Sequence, residues 1–245
     1  VSKEVINVRE NVGLIEVANF SKHEFKGPDA RKFLDHIMAG RLPKPGRISL
    51  SPMLSYRGKL CGDLTVACLD ENEFMVFGSG AAQEMHRRWF ESHLDKYNLN
   101  YKNRSDEFHG LSIAGPNSRK VLEKIVRDDV SNEKFKFRDS RRMFVGGVPA
   151  IINRISFTGE LGYEIYVAPH YQLKLYEELM EAGKEFNIKP FGGRALMSMR
   201  LEKNWGAWTL DYRPDFTAKE TGLDAFINWD KEFIGKESAQ KENSS

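Results

Sequence analysis

The sequence predicts an α+β protein made of two units on one βαββ(β)αβ plan, and three observations point to it. The octapeptide Gly27-Pro28-Asp29-Ala30-Arg31-Lys32-Phe33-Leu34 recurs 88 positions later as Gly115-Pro116-Asn117-Ser118-Arg119-Lys120-Val121-Leu122. Self-similarity at a fixed offset is the mark of a repeated supersecondary unit. Short turns such as Tyr56-Arg57-Gly58-Lys59 and Asp70-Glu71-Asn72 join β-rich runs, which favours antiparallel sheets. Each half also holds two helical stretches, enough to cover one side of such a sheet.

Within each half the elements follow in one order. A strand ends at Gly27 or Gly115, and the proline after it sits near a helix start, where its missing N–H costs nothing. A basic amphipathic helix comes next. The first half continues with β-like runs at Arg47 to Ser55, Leu60 to Leu69 and Glu73 to Phe77, and with a second helix near Ala81 to Lys96. Matching runs at Arg141 to Val145, Val148 to Ser156 and Tyr163 to Val167 precede a helix near His170 to Phe186. The predicted divisions are 1–106, 107–204 and a connecting tail over 205–245, whose last five residues, Lys241 to Ser245, are polar and expected to fray.

A length of 245 residues allows a sizeable core, and the composition is that of an ordinary globular chain. A formal net charge of +2, with Lys and Arg spread among acids, argues against nucleic acid as a partner. No apolar run approaches the roughly 20 residues of a membrane span, so a soluble chain with no membrane partner is expected. Cys61 and Cys68 lie seven apart on a predicted strand and should face opposite sides, which leaves them unbridged and fits a reducing compartment. The chain begins at Val1 without methionine, and a fragment or processed chain is expected. No glycine-rich nucleotide loop is present. The histidines lack metal spacing; His86 and His93 share a helix face and are expected to face solvent, with no metal bound.

The chemistry concentrates in Arg154-Ile155-Ser156-Phe157-Thr158-Gly159-Glu160-Leu161-Gly162-Tyr163-Glu164-Ile165-Tyr166-Val167. Strands over Ile151 to Ser156 and Tyr163 to Val167 flank a turn whose glycines are free to take positive φ. Period-two alternation points Glu164 away from Tyr163 and Ile165, a charged group set toward the other face of the sheet. Asp63, inside Leu60-Cys61-Gly62-Asp63-Leu64-Thr65-Val66, is a second acid among apolar neighbours, and burial there would raise its pKa toward proton-exchange use.

This stretch resembles the signature of the folate-binding aminomethyltransferase superfamily, which contains the glycine-cleavage T-protein and the C-terminal halves of dimethylglycine and sarcosine dehydrogenases. Gly13 to Val17, Met53 to Val66, Gly115 to Arg119, Arg200-Leu201-Glu202-Lys203, Glu220 to Leu223 and Phe233-Ile234-Gly235-Lys236 fall in the same order. The Arg-Leu-Glu-Lys wording and Trp208 are closer to the dimethylglycine dehydrogenase branch, and Trp208 is expected in the interdomain seam. The resemblance implies tandem ferredoxin-like units around a central folate-binding channel, with a C-terminal barrel domain that has no counterpart in this sequence.

It also implies tetrahydrofolate as cofactor, Asp63 as the catalytic acid that manages protons near the folate, and Glu164 as the group that grips the pterin. Phe157, Phe137 and Trp205 fall where the family places aromatic walls around the folate, and Glu160 keeps a structural role only. Leu196 stands where the T-protein has a substrate-contacting arginine, and Arg194, two residues away, is left without an assigned role. The implied activity is one-carbon capture from an N-methylated glycine derivative to give 5,10-methylenetetrahydrofolate, with oxidation of the amine on a flavin-containing domain or subunit. The expected location is cytoplasmic, or the mitochondrial matrix in a eukaryote. Two rivals are a folate-dependent S- or O-demethylase giving 5-methyltetrahydrofolate, and a non-enzymatic folate-binding assembly factor for iron–sulfur proteins. The assembly-factor motif Lys-Gly-Cys-Tyr-x-Gly-Gln-Glu is absent.

Overall fold

The structure, a computed structural model, describes residues 1–243. Helix α1 (Ser2–Glu10) leads into β1 (Val12–Glu16), β2 (Phe20–Lys26), α2 (Ala30–Ile37), β3 (Arg47–Leu54), β4 (Leu60–Asp70) and β5 (Glu73–Ser79). Then come α3 (Gln83–Glu91), β6 (Asn100–Asn103), β7 (His109–Ala114), α4 (Ser118–Ile125), β8 (Ser140–Val145), β9 (Val148–Asn153) and β10 (Gly162–Val167). The described chain closes with α5 (Gln172–Ala182), β11 (Ile188–Pro190), α6 (Gly193–Leu201) and α7 (Lys236–Asn243).

Two units result, one of Val1–Asn19 with Ser105–Trp205, the other of Phe20–Arg104 with Gly206–Ser245. Each unit is discontinuous in sequence, unlike the contiguous ranges 1–106 and 107–204: Val1–Asn19 joins Ser105–Trp205, and the chain from Gly206 onward joins Phe20–Arg104. The physical reason is β1, whose backbone bonds go to β7 and β11. Residues 206 onward are more than a connecting tail. Tyr212, Ala218, Leu223, Phe233 and Ala239 are buried with Leu54 and Leu60, and Lys231 Nζ donates to Asp35 Oδ1 at 2.9 Å. Lys241 to Asn243 belong to α7 rather than a frayed end, while Ser244 and Ser245 lie outside the described residues.

The sheet of the second unit runs β3-β4-β5-β2-β6. That of the first runs β8-β9-β10-β7-β1-β11, the same order under the 88-residue offset with β1 added between β7 and β11. β6 is antiparallel to β2. β1 is antiparallel to β7 and parallel to β11, so β11 keeps the direction relative to β7 that β6 has to β2. In each unit an amphipathic helix covers one sheet face. α2 buries Ala30, Phe33, Leu34 and Ile37 at helical spacing, and α4 buries Ser118, Val121 and Leu122 at the matching places.

Gly27 and Gly115 explain why the repeat begins with glycine. Their φ angles are +142° and +132°, and each backbone approaches another segment closely. A Cβ on Gly115 would lie 2.4 Å from the Asn11 carbonyl oxygen. Gly115→Ala should therefore cost about 3 kcal/mol or more in urea unfolding, from a disfavoured φ plus a backbone clash. Gly147→Ala, at φ +78° with nothing within 4 Å of the new Cβ, should cost only about 1–2 kcal/mol. Equal losses in the two variants would show that the close approach does not matter.

Candidate functional site

In the second unit, β4 sends Leu64, Val66 and Cys68 into the core and turns Asp63 to the other face, as alternation requires. Asp63 stands opposite Pro52 of β3. Its carboxyl is pushed up to about 7, chiefly by loss of water and against the effect of a bond to its own backbone N–H. A carboxyl titrating near neutrality can both take and release a proton in working conditions.

Across the same sheet lies a buried pair of histidines, His23 and His86. His86 is 1% exposed, not solvent-facing, because α3 lays it over Gly62 and Gly78, where the absence of Cβ atoms leaves room for the ring. Its Nε2–H donates to the Cys61 carbonyl at 2.9 Å. His23, fully buried on β2, bonds the Tyr101 hydroxyl through Nδ1 at 2.9 Å. Burial depresses both rings, His23 to about 3 and His86 to about 4, so both are neutral. His93, partly buried, meets Tyr56 at 2.8 Å. Cys61 and Cys68 are free thiols, and the described residues contain no cluster of metal-ligating side chains.

In the first unit, β10 buries Tyr163, Ile165 and Val167 in the core and turns Glu164 to the opposite face. Glu164 is only 7% exposed. It is set between Ser112 of β7 and Asn153 of β9 in register, a polar row across the sheet. The Tyr166 hydroxyl donates to Glu164 Oε2 at 2.8 Å. Burial, and then the Glu164 carboxylate, hold that hydroxyl well above the ordinary tyrosine range. Sequence reading missed Tyr166, Ser112 and Asn153. The signals were a tyrosine two residues from the acid on a strand, and a single polar residue closing the apolar run Val148 to Ile152.

The turn before β10 is longer than expected, since β9 stops at Asn153 and not Ser156. Ser156 Oγ and Thr158 Oγ1 pair at 2.6 Å, and the Thr158 N–H donates back to Ser156 Oγ at 3.1 Å, so side chains take over from the ladder. Arg9 joins this turn to α6 by donating to Glu160 Oε1 and Glu202 Oε2, each at 2.6 Å. Phe157 is partly buried beside the turn, whereas Phe137 is 64% and Trp205 39% exposed. Among the described residues none of these three rings packs on another aromatic ring. Arg194 is exposed. Trp208 packs inside the second unit, near the His86 ring at 6.1 Å.

Comparison with known proteins agrees with this framework. The GCVT N-terminal domain family matches residues 1–231. The mitochondrial dimethylglycine dehydrogenase of Mus musculus is 37% identical over 98% of the chain, which spans 28% of that protein. An aminomethyltransferase of Thermoanaerobacter pseudethanolicus is 30% identical over 96% of the chain and 64% of its own length. The glycine cleavage system aminomethyltransferase T of Bartonella henselae shares the fold with a TM-score of 0.88 at 22% identity, covering 99% of this chain and 66% of that one. With nearly its whole length matched, the chain belongs to the GCVT N-terminal domain family.

Proposed function

We propose that the chain is a tetrahydrofolate-dependent one-carbon transferase domain of aminomethyltransferase type. Its substrate class is an N-methylated glycine derivative, and oxidation of that amine falls to a flavin-containing domain or subunit. For a eukaryotic chain the mitochondrial matrix is the matching compartment, in line with the mammalian relatives' names.

The observation that carries this reading is Glu164, a buried carboxylate in a row of polar side chains on a strand otherwise built for a core. Such an acceptor pair fits the N–H fork of an aminopyrimidine ring. Tetrahydrofolate, when bound, supplies the N5 nucleophile that takes up the one-carbon unit as 5,10-methylenetetrahydrofolate. Glu164 would orient the pterin, with Tyr166 holding one carboxylate oxygen in place. Phe157, Phe137 and Trp205 would offer faces for stacking. Asp63 would hold or pass the proton exchanged as the carbon is captured, a role suited to its raised pKa.

Calorimetry with tetrahydrofolate tests the assignment. Glu164→Ala should weaken binding by about 1.5–3 kcal/mol, the range for hydrogen bonds to a charged group. Unchanged affinity in the folded variant would defeat it.

A further inference from the structure

We infer that Asn153 is a second pterin-reading residue and sets the preference for a 4-oxo over a 4-amino ring; this rests on folate binding at Glu164 as proposed above. Asn153 is fully buried on β9 and stands opposite Glu164 of β10, so the two side chains share one face of the sheet. Its Oδ1 accepts from the Ser140 hydroxyl at 2.7 Å, while its Nδ2 has no hydrogen-bond partner within the protein. The short distance suits O–H···O, and it fixes which way the amide points.

Buried amide donors are seldom left unpaired, and an orphan next to a buried acid points to a bound group that takes up the bond. Asn153 and Glu164 together present one donor followed by two acceptors. A 2-amino-4-oxopyrimidine edge presents the complement: the exocyclic oxygen accepts, then the ring N–H and the amino group donate. The exocyclic oxygen projects roughly parallel to those two N–H groups, whereas the lone pair of the ring nitrogen on the far side of the amino group diverges. The oxygen is therefore the acceptor that Nδ2 reads.

A matched pair of probes tests this, tetrahydrofolate and its 2,4-diamino analogue, titrated by calorimetry into the full chain and its variants. The unaltered protein should prefer the 4-oxo ring. Asn153→Ala should reduce that preference roughly tenfold to hundredfold, because the site no longer discriminates by a buried bond. Asn153→Asp should turn the preference toward the diamino ring, since a carboxylate accepts where the amide donated. Ser140→Ala, which only frees the amide, should give a smaller loss of preference. The ratio of the two affinities within one variant does not depend on how much of that variant is folded. An unchanged ratio in Asn153→Ala, or equal weakening toward both probes, would overturn the inference while leaving folate binding standing if Glu164→Ala still weakens both. Failure of the unaltered protein to bind either probe would overturn the inference and the proposed function together.

Discussion

Asp63→Asn is expected to slow one-carbon transfer by roughly 10²–10⁴-fold, the usual loss for one acid–base group. The substitution keeps the shape and the hydrogen-bonding capacity of the side chain and removes only the titration. The pH dependence should change with it. Asp63 titrates at about 7 in the fold, so a limb near that value in kcat/KM should vanish in the variant. Stability should move the other way. A carboxyl whose pKa is raised on folding carries no penalty below its unfolded value near 3.8, and it destabilises increasingly as pH rises through about 7. Asparagine escapes that penalty, so above pH 7 the variant should be more stable, by an amount on the order of 2–4 kcal/mol. Slower turnover with a higher Tm at pH 8 is the expected pair of results. Near-normal turnover, or a collapsed fold, would return Asp63 to a structural role.

Mild acid should unfold the second unit through His23 and His86. Both rings are neutral in the fold, at about 3 and about 4, against an ordinary value of 6.5. The unfolded chain therefore binds more protons, and stability falls as pH drops below 6.5 until the rings themselves titrate. At pH 5 each ring costs about 2 kcal/mol, roughly 4 kcal/mol for the pair. Asp63 acts in the opposite direction over part of this window, so the measurement belongs in the Asp63→Asn background. There, urea midpoints between pH 7 and pH 5 should fall steeply, and His86→Gln, which can still donate to the Cys61 carbonyl, should remove about half of the slope. An unaltered slope in His86→Gln would rule the pair out as the cause.

What was legible in the sequence was whatever local chemistry enforces. The repeated glycine-proline start, the helix faces and the alternation that turns Glu164 from the core all follow from neighbours a few residues away. The Gly-Pro offset anticipated matching sheets because the same short-range signals recur in the same order. Partners distant in sequence were not legible. Nothing near Val12 announces that it will pair with Ile188, and a histidine on a helix with charged neighbours reads as exposed until Gly62 and Gly78 open a place for it. The candidate site divides in the same way. Asp63 and Glu164 stood out as acids among apolar residues, whereas Asn153 gained meaning only once β9 was laid beside β10.

The insertion of β1 between β7 and β11 also governs when this chain can fold. Residues 12–14 must wait for residues 188–190 before the sheet of the first unit is complete, and Ala39 must wait for Asn228 in the second. Both units thus depend on pairings that close very long loops, a topology that slows folding and leaves strand edges open in the meantime. During synthesis at roughly 5–20 residues per second, the early strands would spend on the order of ten seconds or more without their final neighbours. Over that interval β1 keeps open the edge that β11 will cover, and a chaperone that shields such edges should raise the yield of native protein more than it raises the yield of a protein whose sheets close locally.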